Sequence, residues 1–73
     1  MAIAMQYHVE VHGHLFAKFV HAIDALRVAH MWSDRYRSST EVVYTGRDSP
    51  GLIGQFVNGR PTDEFLHVMK ELQ

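Results

Sequence analysis

The stretch "YHVEVHGHLFAKFV", residues 7–20, changes its period partway, and the place where it changes decides how the chain folds. Met5, Tyr7, Val9 and Val11 alternate with Gln6, His8, Glu10 and His12. Successive side chains of a strand leave opposite faces of a sheet, so this alternation predicts a strand over residues 3–12 with one apolar and one polar face. Gly13 breaks it. From His14 to Trp32 the apolar residues Leu15, Phe16, Phe19, Ile23 and Leu26, with His30, follow i, i+3, i+4 spacing, while Lys18, Asp24 and Arg27 mostly fall elsewhere. That spacing predicts a helix of roughly five turns.

Beyond the helix, "SDRYRSS" (33–39) is polar and ends it. "TEVVYTG" (40–46) carries the β-branched and aromatic residues of a strand. In "RDSPG" (47–51) Pro50 presets φ and Gly51 accepts a positive φ, which is turn chemistry. "LIGQFVN" (52–58) then reads as the returning strand of a hairpin, with Gly54 as a bulge position, and Asn58, Gly59 and Pro61 close it. Thr62 suits a helix N-cap, Asp63 and Glu64 suit a first turn, and Phe65, Leu66, Met69 and Leu72 form the stripe of a short last helix.

The expected order is therefore β-α-β-β-α, an α+β fold in one small domain spanning residues 1–73. A helical crossover would make the first two strands parallel and right-handed in their connection. The simplest sheet has three strands in the order 1-3-2, with both helices on one face, as in a ferredoxin-like fold without its last strand. That connectivity gathers His12, His14, Arg47 and Asp48 at one end. Trp32, Arg35, Tyr36, Arg37, Asn58 and Arg60 gather at the other.

Composition bounds the function. The chain has 73 residues, and a domain of this size buries only about 60% of the surface its unfolded chain exposes. Apolar residues make up 47% and charged residues 21%, a globular balance. With no cysteine, neither disulfides nor thiolate zinc sites are available, which suits a reducing cytoplasm. "MAIAMQYH" lacks the basic and apolar regions of a signal peptide, and no apolar run approaches a membrane span, so the expected location is cytoplasmic. The formal net charge of −1 argues against a generic polyanion binder. Six histidines stand out: protonating them all would carry the formal charge to +5.

Three groups of residues could carry chemistry or contact. His8, Glu10, His12 and His14 form a row that would suit zinc, nickel or iron if its side chains converged, with His8, His12 and His14 the metal candidates. The same row is also what the wet side of a half-buried strand requires. His21, His30 and His67 lack paired-ligand spacing, and His30 continues the apolar stripe, which suits a partly buried, hydrogen-bonded residue. "MWSDRYR" (31–37) sets Trp32 and Tyr36 beside Arg35 and Arg37, and connectivity adds Arg60. Aromatic planes beside guanidinium groups suit a protein interface, stacking on nucleic-acid bases, or simply a capped helix end.

No catalytic site is expected. The serines lack a G-x-S-x-G elbow, and "TGRDSPGLIG" lacks the phosphate-binding G-x-x-x-x-G-K-[ST] pattern. A histidine-dependent RNase would need His12 or His14 beside Arg47.

One cysteine-free domain, with "HAIDALRVAHMW" on the long helix followed by the "TEVVYTGRDSPGLIGQFVN" hairpin, resembles the small phage-encoded regulators of bacterial RNA polymerase. The resemblance implies a non-enzymatic inhibitor without cofactors, acting in the host cytoplasm. It further implies binding to polymerase subunits, inhibition of initiation and altered termination. Near-neutral charge departs from the acidic members of that group that mimic DNA, so docking would use shape and apolar anchors. Phage anti-defence proteins share the same features. Partner contact is expected from Trp32, Arg35, Tyr36, Arg37 and Arg60, with His8, Glu10 and His12 as a second face. A His-rich metal-binding or RNase-like protein, or a small nucleic-acid-binding module, are the other readings, and exposed strand edges leave pairing between copies open.

Overall fold

The computed structural model describes residues 4–46, 48 and 51–62. The elements run β1 (Tyr7–Val11), β2 (His14–Phe19), α1 (Ala22–Tyr36), β3 (Ser39–Tyr44), β4 (Gly51–Val57) and β5 (Arg60–Pro61). The five strands form one sheet in the order β2-β1-β3-β4-β5, and every neighbouring pair is antiparallel. This corrects the expected three-stranded sheet of order 1-3-2. The helix expected after Thr62 lies outside the described residues, among which α1 is the one helix.

The correction begins at His12–Gly13. Both residues have positive φ, 51° and 81°, the signature of a two-residue type I′ hairpin turn. The chain therefore returns along β1 as a second strand and does not enter a helix. That extra pass reverses the direction of every later element relative to β1. β3 consequently runs antiparallel to β1 and pairs with it directly, from Tyr7 opposite Tyr44 to Val11 opposite Thr40. The parallel crossover moves: β2 and β3, each antiparallel to β1, run parallel to one another and are joined by α1 across β1.

Residues 14–19 imitate a helix because the strand is bulged. Val9 pairs with Ala17 and Glu10 with Leu15, so Phe16 is an extra residue in β2. The extra residue destroys strict alternation and leaves apolar residues at 15, 16 and 19, which also fit helical spacing. The β3–β4 hairpin is close to expectation, with Thr40 opposite Phe56 and a register shift between Gly54 and Leu52.

α1 starts eight residues later than its apolar spacing predicts and presents a different stripe. Its buried residues are Ala25, Ala29 and Ser33, whereas Ile23 is exposed. Residues i, i+4 and i+8 share one face. Small side chains there let the helix lie close to the sheet, against Val9, Val42 and Phe56. Thr40, fully buried beneath the helix, donates from Oγ1 to the Ala29 carbonyl at 2.8 Å. That bond satisfies a hydroxyl whose burial without a partner would cost about 1–3 kcal/mol.

The far end of α1 is fixed by its own cap. Arg37 takes the left-handed conformation (φ 48°, ψ 51°), and the amides of Arg37 and Ser38 both donate to the Ser33 carbonyl. The Ser38 bond spans a Schellman-type turn, here with arginine where glycine is usual.

Candidate site: an aromatic flank beside an open strand edge

Reversing the chain after β1 redistributes the candidate residues. The His12 amide donates to the Ser39 carbonyl at 3.1 Å, and the Asn58 amide to the Ser38 carbonyl at 3.3 Å. The His12–Gly13 turn therefore sits at the same end of the sheet as Arg37, Asn58 and Arg60, contrary to expectation. The β3–β4 connection holding Asp48 lies at the opposite end, beyond the Tyr44–Gly51 pair. Arg47 is outside the described residues. An RNase-like pairing of His12 or His14 with that connection thus loses its geometric basis.

The histidine row is also broken. Val9 is buried under the helix, so His8 and Glu10 face the opposite side of the sheet. There His8 stands opposite Lys18 and Val43, and Glu10 opposite Leu15 and Glu41. His12 has left the strand for the turn, and His14 pairs with Val11. Among the described residues no three His, Asp or Glu side chains converge in a way that could hold a metal ion. Gln55 donates to Glu41 at 3.4 Å, so that carboxylate is engaged within the sheet face.

At the end shared by both hairpin turns, α1 divides the surface into two flanks. On the β5 flank Ser33 is the centre. Its Oγ donates to the Ser38 carbonyl at 2.6 Å and accepts from the Gly59 amide at 2.9 Å. His30 donates from Nε2 to the Gly59 carbonyl at 3.0 Å and stacks on Phe56 at 5.0 Å. Arg37 donates to the Asn58 carbonyl at 3.2 Å. His30 is hydrogen-bonded as its place in the sequence suggests, but it is exposed rather than half-buried. This flank spends its polar groups on holding the helix end to the sheet.

The β2 flank is built from apolar rings. Phe16 lies 4.3 Å from Trp32 between ring centroids, and Trp32 lies 4.4 Å from Tyr36, both tilted. The Arg35 guanidinium carbon stands 5.8 Å from the centre of the Tyr36 ring. Trp32 and Tyr36 are one turn apart on α1 and so share a face. The bulge supplies Phe16. Ring pairs of this kind contribute about 0.5–1.5 kcal/mol each beyond their buried area. Even so, Phe16 remains 45% exposed, Tyr36 55% and neighbouring Leu15 54%.

Of the residues expected to meet a partner, Trp32, Arg35 and Tyr36 come together here, and Arg37 and Arg60 fall on the other flank. Phe16 belongs to the cluster but reads in the sequence as part of a helical stripe. Its signal was the dipeptide His12–Gly13 between apolar runs, a two-residue hairpin turn that makes the next segment a strand.

Among the described residues β2 is also a sheet edge, because its partner β1 pairs on its other side with β3. The opposite edge, β5, is two residues long and ends in Pro61, which has no amide hydrogen to donate. Comparison of the chain with protein-family models, curated proteins and solved structures finds no match. No helix among the described residues is long and apolar enough to cross a membrane.

Proposed function

We propose that this chain is a small non-enzymatic binding protein that acts by occupying a surface of a larger protein, with the β2 flank as its contact face. The observation that carries this reading is the stacked but uncovered Phe16–Trp32–Tyr36 cluster bordering an open strand edge. Rigid aromatic anchors with an adjacent arginine are what dominate binding energy at protein interfaces. Arg37 and Arg60 lie across the helix, and His12 at its end, so they belong to the rim of such a contact. His8 and Glu10 lie on the far face of the sheet and form a separate second candidate surface. In the finer version, drawn from the resemblance to phage regulators, the partner is a bacterial RNA polymerase and binding inhibits transcription.

Affinity capture from a bacterial lysate, read by mass spectrometry, tests both levels. The wild-type chain should retain a dominant partner, with polymerase subunits expected, and Trp32→Ala or Phe16→Ala should release it while circular dichroism stays native. A partner retained undiminished by both variants overturns the contact face. No retained partner overturns the reading itself, and a dominant partner other than polymerase overturns the finer version.

A further inference from the structure

We infer that the segment bound at the β2 edge is an extended, acidic stretch of the partner, added to the sheet as a further antiparallel or parallel strand. This rests on the proposed contact face and specifies what occupies it. An edge strand presents unpaired amides and carbonyls, and a partner strand satisfies them while its alternate side chains fill pockets on either side. Here the helix side of the edge offers the Phe16–Trp32–Tyr36 rings, which suit an aromatic or bulky apolar side chain.

Charge selects the chemistry of the rest. The strand "HLFAKF" carries exposed His14 and Lys18 and no acid. Lys18, opposite His8, faces away from the helix, where an added strand with its bulky apolar side chains on the rings would place its alternate residues. Exposed Arg35 borders the rings on the helix side. Asp34 lies on the other flank beside Gly59, and Asp24 is in the first turn of α1, at the other end of the helix from Arg35. Glu10 shares the far face with Lys18 but lies one strand inward, opposite Leu15. A second copy is disfavoured by the same groups, since edge-to-edge pairing would bring two Lys18 ammonium groups and two His14 rings, and no acid, onto one short ladder. Lysine on an edge is a recognised guard against such self-pairing. An acidic strand meets no such penalty.

The chain's single tryptophan, Trp32, lies in the site and reports on it directly. The probe is an eight-residue peptide in which Glu alternates with Val around a central Phe. Its controls carry Gln for every Glu, or N-methyl groups on every second amide in either phase. The Glu peptide should shift Trp32 emission saturably, the Gln peptide should bind at least tenfold more weakly, and one N-methylation phase should abolish binding. In the Lys18→Glu/Arg35→Glu protein the preference for the Glu peptide should disappear, with Lys18→Gln giving an intermediate loss in case the double variant folds poorly.

Equal binding of Glu and Gln peptides overturns the acidic assignment, and binding that survives both N-methylation phases overturns strand addition. A Trp32 response confined to an oligonucleotide, or sedimentation as a dimer that Lys18→Glu disrupts, overturns the inference in favour of nucleic acid or self-pairing. If no peptide binds while lysate capture still depends on Trp32 and Phe16, this inference falls and the contact face stands. If capture does not depend on them, the contact face falls.

Discussion

Two hairpin turns lie at the same end of the sheet, and their φ angles agree within a degree: His12–Gly13 at φ 51° and 81°, Asn58–Gly59 at φ 52° and 82°. Their surroundings differ completely. A methyl group on Gly13 would meet nothing within 4 Å, whereas one on Gly59 would stand 2.6 Å from Asp34 Oδ1 and 2.9 Å from Asp34 Cα. The second turn is clamped to the helix through Ser33, His30 and Arg37; the first is tied to β3 by the His12 amide donating to the Ser39 carbonyl. The same local structure thus serves two purposes. The Asn58 turn fastens the fold, and the His12 turn leaves the neighbouring rings exposed, as the proposed contact face requires.

The contrast can be broken most forcefully at Gly59. Gly59→Ala adds left-handed strain of about 1–2 kcal/mol to an overpacking cost of about 1–3 kcal/mol. In a small domain that is a large part of the stability, so urea denaturation should show a fall of about 3 kcal/mol or no cooperative transition. A midpoint close to wild type would mean that the clamp is not as tight as its geometry. Next is Ser33→Ala, which leaves the half-buried Gly59 amide without an acceptor and the Ser38 carbonyl with the Asn58 amide as its remaining donor. We expect a loss of about 2 kcal/mol by the same measurement, since unsatisfied buried groups cost about 1–3 kcal/mol each.

The first turn should respond less. Gly13→Ala meets no neighbour, so only the left-handed strain of about 1 kcal/mol remains. A loss as large as that of Gly59→Ala would abolish the distinction between the turns. Smallest of all is His12→Asn, which converts the first turn to the Asn-Gly sequence most favoured for this conformation. Its thermal midpoint should stay level or rise slightly, and any change should be within about 0.5 kcal/mol. A marked fall would assign the His12 ring a structural contact that the geometry lacks.

The parts of the fold that were legible in the sequence are those whose side chains alternate without interruption. Tyr7, Val9 and Val11 announce β1, and "TEVVYTGRDSPGLIGQFVN" announces the β3–β4 hairpin. The misreading of residues 14–19 has a specific cause: the Phe16 bulge erased the period of two and left a helix-like spacing. The misplaced helix stripe has another. Ala25, Ala29 and Ser33 are too small or too polar to stand out beside Ile23 and Leu26, although close approach to the sheet favours them.

That Trp32, Arg35 and Tyr36 stand together was legible from their spacing in "MWSDRYR" alone. Phe16, which completes the cluster, depends on the bulge, and the split of Arg37 and Arg60 from it depends on which side of α1 each strand lies. Neither is encoded in local spacing.

The β1–β3 pairing has a consequence for how the chain reaches its native state. Each of the other ladders joins neighbours in sequence across a short connection, and the two I′ turns are among the fastest structures a chain makes. The β1–β3 seam joins residues 7–11 to residues 39–44 with a whole hairpin strand and the helix between them. Closing that interval costs loop entropy before any contact returns it, so the seam sets the folding rate. Until it forms, the strands that meet there are themselves open edges, and the molecule is most exposed to wrong pairing at its centre rather than at the edge it keeps open when folded.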